Sequence, residues 1–189
     1  MFEREINLIG EDNYLKLKNS NILVIGVGGV GGYAVETLIR SGIENITLVD
    51  YDNIDISNIN RQVIALSSNI GNSKVEEFKK RILSINSNVK VKIIKEKINE
   101  DNIDLLFEED YDYIIDACDT MIVKKLLIKM CHKKHINLIT VCGMGKKLDP
   151  TKVKISDIRD TNYDPLAKAL RKYVKDEKID KFGEDKSIW

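Results

Sequence analysis

The apolar run Asn21-Ile22-Leu23-Val24-Ile25 passes directly into Gly26-Val27-Gly28-Gly29-Val30-Gly31-Gly32 and then into a segment of helical period. A strand, a glycine turn and a helix in that order bring backbone close to backbone, or to an anion, where a Cβ would intrude. The free N–H groups and the positive dipole end at the helix start offer donors to phosphate. A second apolar run, 45–49, ends at Asp50, 19 residues after Gly31, where an acidic side chain accepts from ribose hydroxyls. Gly26, Gly28, Gly29, Gly31 and Asp50 therefore describe a nucleotide-binding βαβ unit. By themselves they leave dinucleotide dehydrogenases and other nucleotide users level.

Further apolar runs at 89–94, 113–115 and 138–141 alternate with segments of helical period, and that order predicts an α/β fold with a mainly parallel sheet. Val30, Ala34, Leu38 and Ile39 share one helical face, as do Val75, Phe78, Ile82 and Ile85, with Asn72 or Ser73 placed to cap the second helix. Both stripes are expected to pack on the sheet. The length of 189 residues gives room for a single domain over 1–189. The stretch 22–35 is broken by five glycines and is shorter than the roughly 20 apolar residues a membrane helix needs, so no membrane association is expected. The N-terminus mixes Glu and Arg among apolar residues and does not read as a signal peptide. Three cysteines, Cys118, Cys131 and Cys142, with no C-x-x-C pair, argue against a disulfide scaffold or a four-cysteine zinc site and fit a reducing, cytoplasmic compartment.

The segment after the second strand separates the nucleotide users. Asp52, Asn58, Asn60, Arg61 and Gln62 form a polar cluster directly beyond the glycine turn, which hydride transfer does not require. Arg61 can fork onto phosphate oxygens and Lys74, at the start of the next helix, adds a point charge. Two cations near one nucleotide suggest a triphosphate. Asp116 and Asp119 fall at the end of the fourth apolar run, on the carboxyl edge of the sheet where open α/β folds bind ligands, and Asp119 is suited to hold magnesium. No G-x-x-x-x-G-K-[ST] run occurs, which disfavours a P-loop enzyme.

The stretch GVGGVGGYAVETLIRSGIENITLVDYDNIDISNINRQ resembles the adenylating family that includes ubiquitin-activating, molybdopterin-synthase-activating and thiamine-sulfur-carrier-activating enzymes. The resemblance implies a Rossmann-like, ubiquitin-activating-enzyme-like adenylation fold with helices on both faces of the sheet. It implies ATP and Mg2+ as cofactors and a carboxylate that attacks the α-phosphate, giving an acyl-adenylate and pyrophosphate. Carried over to this sequence, it assigns the glycine turn, Asp50 and Asp52 to ribose and nearby polar contacts, Asn58, Arg61 and Lys74 to phosphates, and Asp119 to the metal. Arg4 is similar to an arginine that reaches into the partner subunit's site, which implies a homodimer.

Two segments bear on the branch. The paired C-x-x-C zinc ligands usual in sulfur-carrier-activating branches do not occur, whereas GMGKKLDPTKVKISDIRDTNYDPLAKALRKYVK resembles the branch that acts on threonylcarbamoyladenosine at position 37 of tRNA. In that branch the activated carboxylate is closed into a ring with net loss of water, and a sulfur-transfer protein is a further partner. The other reading is activation of the C-terminal glycine of a ubiquitin-like sulfur carrier; a third is a nucleotide-binding dimer that only recruits partners. Net charge is zero, but 121–154 carries nine lysines against one acid, a segment that either meets a polyanion or forms a solvated face. The branch continues beyond the point corresponding to Trp189, so a shortened C-terminal end is expected. The cysteines are expected to be inert, and His132 and His135 to lie on a solvent face without metal.

Overall fold

A computed structural model describes residues 1–180, and the expectation of a shortened C-terminal end concerns residues outside these. The element order is α1 (Glu3–Ile9), α2 (Glu11–Asn19), β1 (Asn21–Ile25), α3 (Gly31–Arg40), β2 (Asn45–Val49), α4 (Lys74–Ile85), β3 (Lys90–Ile94), β4 (Tyr113–Asp116), α5 (Met121–Lys134), β5 (Asn137–Thr140) and α6 (Pro165–Asp176), with short 3-10 turns between them. Five strands form one sheet in the order β3-β2-β1-β4-β5, every pairing parallel. The fold is the expected α/β, Rossmann-like one. The chain steps outward from β1 to β3, then returns to lay β4 against the other side of β1. That reversal makes the gap between β1 and β4 the sheet's switch point, at whose carboxyl edge such sheets bind ligands.

Alternate residues of each strand feed opposite faces. Ile22, Val24, Ile46 and Leu48 meet Val35 and Ile39 of α3 and Val75, Phe78 and Ile82 of α4 in one core. Leu23, Ile25, Val49 and Ile114 meet Val123, Leu127 and Cys131 of α5, with Ile103 and Leu106 from a 3-10 turn, in the other. Burial on both faces explains why these strands read as nearly unbroken Val, Ile and Leu.

The sequence pattern differs from the structure in detail. β3 begins at Lys90, β4 extends through Asp116, and β5 is shifted one residue toward the N-terminus of its expected range. In α3 the fully buried stripe is Gly31, Gly32, Val35 and Ile39; Val30 is 47% exposed because the helix starts after it, and Ala34 and Leu38 only flank the contact. In α4 Val75, Phe78 and Ile82 are buried and Ile85 partly so. Ser73 occupies the N-cap position of α4 but its hydroxyl makes no cap bond, and Asn72 instead donates to Glu77 at 3.1 Å.

Asp164 caps α6, accepting from the N–H groups of Leu166 and Ala167, and also accepts from Gly143 N–H at 2.9 Å. It thereby ties the segment leaving β5 to the start of α6. Partial burial works against its charge, but the three backbone donors hold its carboxyl below the ordinary aspartate range. A group so depressed stabilises the fold above its unfolded pKa and stops doing so as pH falls through its folded value. Asp164→Ala is expected to cost about 1–2 kcal/mol at neutral pH, with the difference from the parent closing as both are acidified, measured by urea unfolding across pH. Gly31→Ala puts a Cβ 1.8 Å from the Gly26 carbonyl oxygen. It is expected to destabilise by at least about 2 kcal/mol, while Gly145→Ala, with open space around it, stays within about 0.5 kcal/mol, both read by urea unfolding at neutral pH.

Candidate nucleotide site

The site grows from the turn after β1. Gly26 has φ +81°, and a Cβ there would lie 2.9 Å from the Ala117 carbonyl and the Cys118 nitrogen, so the turn presses directly on the segment after β4. Gly28 and Gly29 have no such crowding. They lie beneath Gln62 and Arg61: the Gln62 amide nitrogen is 3.7 Å from where a Gly28 Cβ would stand, and the Arg61 side-chain stem is 3.6 Å from that of Gly29. The turn is thus pressed tightly on its strand side and in ordinary van der Waals contact with the polar loop on the other.

Asp50 follows β2 and grips the turn. One carboxylate oxygen accepts from Val27 N–H at 2.9 Å, the other from Asp52 N–H at 2.9 Å. An ionised carboxylate has room for about four hydrogen bonds, so Asp50 retains acceptor capacity toward a ribose. Asp52 pairs with Lys74, Nζ to carboxylate 2.7 Å, and its carbonyl accepts from Lys74 N–H at 3.1 Å. The Lys74 side chain is 6% exposed, whereas Asp52 is half exposed. The lysine is therefore fixed at the start of α4 with its stem buried, aimed toward a partner that solvent, or a ligand, can reach.

The loop between β2 and α4 builds itself with side-chain caps. Asp55 accepts from Ser57 N–H, and Asn58 Oδ1 accepts from Asp55 N–H at 3.1 Å. Asn58 is buried, and its carbonyl oxygen is spent on bracing the loop rather than held open. Arg61 follows, exposed, its guanidinium donating to Ser57 O at 2.8 Å and Asn60 Oδ1 at 2.9 Å. Gln62 is 7% exposed and its amide oxygen has no hydrogen-bond partner within the protein. Buried polar atoms are seldom left so; the amide nitrogen of the same side chain is the atom that lies over Gly28.

Asp116 is a correction. Expected among the nucleotide contacts, it is fully buried, and its carboxylate is taken up by Lys124 at 3.0 Å, by the Thr140 hydroxyl and by Cys118, leaving no surface for a ligand. Lys124 is the partner the sequence reading missed, having been counted with the surface lysines of 121–154. The signal was present: Lys124 stands three residues before Leu127 and seven before Cys131, both on the apolar face of α5. Asp119, three residues beyond Asp116, is exposed, with only the Thr120 hydroxyl near it, at 3.5 Å. Among the described residues no group of three or more His, Cys, Asp or Glu side chains is arranged to hold a metal. One exposed carboxylate nevertheless suits Mg2+, which commonly binds through one or two carboxylates together with substrate phosphates.

Arg4 is exposed on α1, away from this cluster within one chain. α1 packs on α2 through Phe2 and Tyr14, and Tyr14 abuts Gly42 near the amino-terminal end of β2. The cysteines are poor nucleophiles. Burial, with Asp116 nearby, pushes the Cys118 and Cys131 thiols up to about 12, and burial also raises Cys142. His132 is half-buried, and His135 is exposed in the left-handed conformation that ends α5. No helix among the described residues is long and apolar enough to cross a membrane.

The chain is similar to known proteins over most of its length. The tRNA threonylcarbamoyladenosine dehydratase of Bacillus subtilis is 44% identical over 180 residues, covering 95% of this chain and 71% of that protein. Its Escherichia coli namesake is 39% identical over 168 residues, covering 89% and 63%. The chain thus spans between about three fifths and three quarters of the length of these relatives. A crystal structure of the E. coli dehydratase in complex with ATP superposes with a TM-score of 0.89 at 38% identity, covering 92% of this chain and 72% of that one. The Haemophilus influenzae molybdopterin-synthase adenylyltransferase is 30% identical over 176 residues. Residues 2–179 match the ThiF family, and the chain belongs to it.

Proposed function

We propose that the protein is an ATP-dependent carboxylate-adenylating enzyme acting on threonylcarbamoyladenosine in tRNA, which it dehydrates to the cyclic form. The observation that carries the reading is the glycine turn at the sheet's switch point, with Arg61 packed over Gly29 and Lys74 tied to the turn through Asp52 and Asp50. The identity to the dehydratases, extending over α5 and α6, selects the substrate. A carboxylate and a polyphosphate repel, so adenylation needs cations where charge accumulates as pyrophosphate departs. Arg61 presents a planar fork and Lys74 a point charge. Asp50 orients the ribose, Gln62 holds its amide nitrogen over Gly28, and Asn58 acts by shaping the loop that carries Arg61. Bound at Asp119 and the triphosphate, Mg2+ would supply further neutralisation of phosphate charge. Holding carboxylate and α-phosphate in line contributes up to roughly 7–11 kcal/mol in favourable cases.

The balance is simple. A carboxylate oxygen bonds to the α-phosphorus and pyrophosphate leaves; a nucleophile in the same threonylcarbamoyl group then attacks the acyl carbon, and AMP departs carrying that oxygen. Water is lost overall, its oxygen appearing in AMP, and no protein thiolate is required, in keeping with three thiols held protonated. The protein works as a homodimer in this reading, Arg4 of each copy completing the other's site; the wholly exposed flank of α1, with Arg4 and Leu8, leaves that residue available. The exposed lysines of 121–154, Lys124 excluded, face tRNA in the cytoplasm, and the domain corresponds to all of 1–189.

Purified protein is expected to release pyrophosphate from ATP only when tRNA bearing threonylcarbamoyladenosine is present. Activity triggered instead by a sulfur-carrier protein, with none on tRNA, would overturn the assignment. Arg61→Ala and Lys74→Ala are each expected to lower kcat/KM by about 10²–10³; the exposed Arg61→Ala keeps a melting temperature near the parent's, whereas Lys74→Ala, which empties a buried position, lowers it. Affinity for the modified tRNA should fall steeply with salt, log K against log[salt] having a slope of roughly −0.7 to −0.9 per phosphate neutralised; filter binding between low and physiological salt reads it directly.

A further inference from the structure

A network that the reaction itself does not touch converges beneath the loop carrying Asp119. Asp116 Oδ1 accepts from the Cys118 N–H at 3.2 Å and from the Cys118 thiol at 3.0 Å. Its Oδ2 accepts from Lys124 Nζ at 3.0 Å and from the Thr140 hydroxyl. Lys124 Nζ donates in addition to the Val141 carbonyl at 3.0 Å, and Val141 N–H returns to the Asp116 carbonyl at 2.8 Å. The two charged side chains are 1% and 0% exposed. One ion pair thus joins the end of β4, the first turn of α5 and the end of β5.

Stability alone does not account for it. An enclosed ion pair gives up the hydration of both charges, and apolar side chains of similar size commonly do as well or better. What the pair does here is geometric. With both oxygens engaged, Asp116 draws 116–118 into a tight turn, and that turn sets the Ala117 carbonyl and the Cys118 nitrogen against Gly26 with no space for a side chain between. The same turn leaves Asp119 exposed, with Thr120 ending it as the N-cap of α5. The Cys118 thiol, kept protonated, remains a donor to the carboxylate.

We infer that Lys124 is a positioning residue for adenylation: acting through Asp116, it holds the 117–120 turn so that Asp119 keeps a fixed place relative to the glycine turn. The inference rests on the proposed function, in which Asp119 faces the nucleotide. Such a device governs the reacting geometry more than ground-state affinity, because the glycine turn, Asp50, Arg61 and Lys74 bind ATP without it.

The test uses the full chain and three variants. Lys124→Met strands a buried carboxylate and is expected to melt early, so the decisive variant is Asp116→Leu with Lys124→Met, which removes both charges and is expected to fold. In it, kcat for pyrophosphate release with modified tRNA should fall about 100-fold, as displacement of a reacting group by about an ångström can cause, while the ATP dissociation constant by calorimetry changes by less than about threefold. Lys124→Arg, which keeps the cation, should recover kcat to within about fivefold of the parent. Amide exchange at 117–120 should speed up by more than about tenfold in the double variant, with β1 peptides unchanged. A folded double variant with parental kcat, a parallel loss of ATP affinity and kcat, or unchanged exchange at 117–120 overturns the inference. If the unaltered protein releases no pyrophosphate with modified tRNA, the functional reading fails instead, and the exchange measurement alone still decides whether Lys124 holds the turn.

Discussion

Helix α3 begins so close to the end of β1 that only hydrogen fits where a side chain would stand: a Cβ on Gly31 would sit 1.8 Å from the Gly26 carbonyl oxygen. Gly26 in turn meets the Ala117 backbone across the switch point. These two approaches lock β1, α3 and the segment after β4 into one block. The polar groups around the turn are placed relative to it, since Asp50 is hydrogen-bonded to it, Gln62 and Arg61 lie over Gly28 and Gly29, and Asp119 follows the segment after β4 that presses on it from the other side. Close packing converts that backbone contact into a reference point, because an interior at crystal-like density does not permit one element to drift without the others.

Two lysines show how burial sorts like residues into unlike roles. Lys74 has a buried stem but a half-exposed partner in Asp52, so its charge can be shared with an incoming phosphate. Lys124 is enclosed together with Asp116, Thr140 and the Val141 carbonyl, so its charge is spent entirely on the protein. The energetic rule is the same in both cases, that a charge out of water must be paired. What differs is whether the partner is itself exchangeable. Arg61, on an exposed loop braced by Asn58, stands at the other extreme, held through two hydrogen bonds that an anion can replace.

Membership of the ThiF family and close superposition on an ATP-bound dehydratase fit this arrangement. A fold of this kind needs little covalent help from the protein. In the proposed reading, cations, a carboxylate suited to magnesium and a ribose acceptor bring together two anionic reactants, and raised thiol pKa values are compatible with a route in which AMP, not a protein thiol, carries the leaving oxygen. The scarcity of conventional nucleophile-base pairs near the turn is what such chemistry looks like.

Much of this was legible in the chain before any coordinates. The run Ile22–Ile25 into the glycines, and Asn45–Val49 ending at Asp50, marked out two buried strands and a tight turn, because backbone proximity and strand burial leave direct marks on residue type. Arg61, Lys74 and Asp119 stood out as candidates from the polar cluster, strand-end placement and family resemblance. Asp116 and Lys124 were not readable in the same way. An aspartate at a strand end and a lysine in a basic helix look like ligand and surface groups until the crossing of β4, β5 and α5 buries both within 3.0 Å of each other. Sequence determined the strand–turn–helix grammar and the charges available, since those depend on local geometry and residue type. Tertiary structure alone decided which charges meet solvent and which meet one another, because burial depends on residues far apart in the chain being packed against the same point.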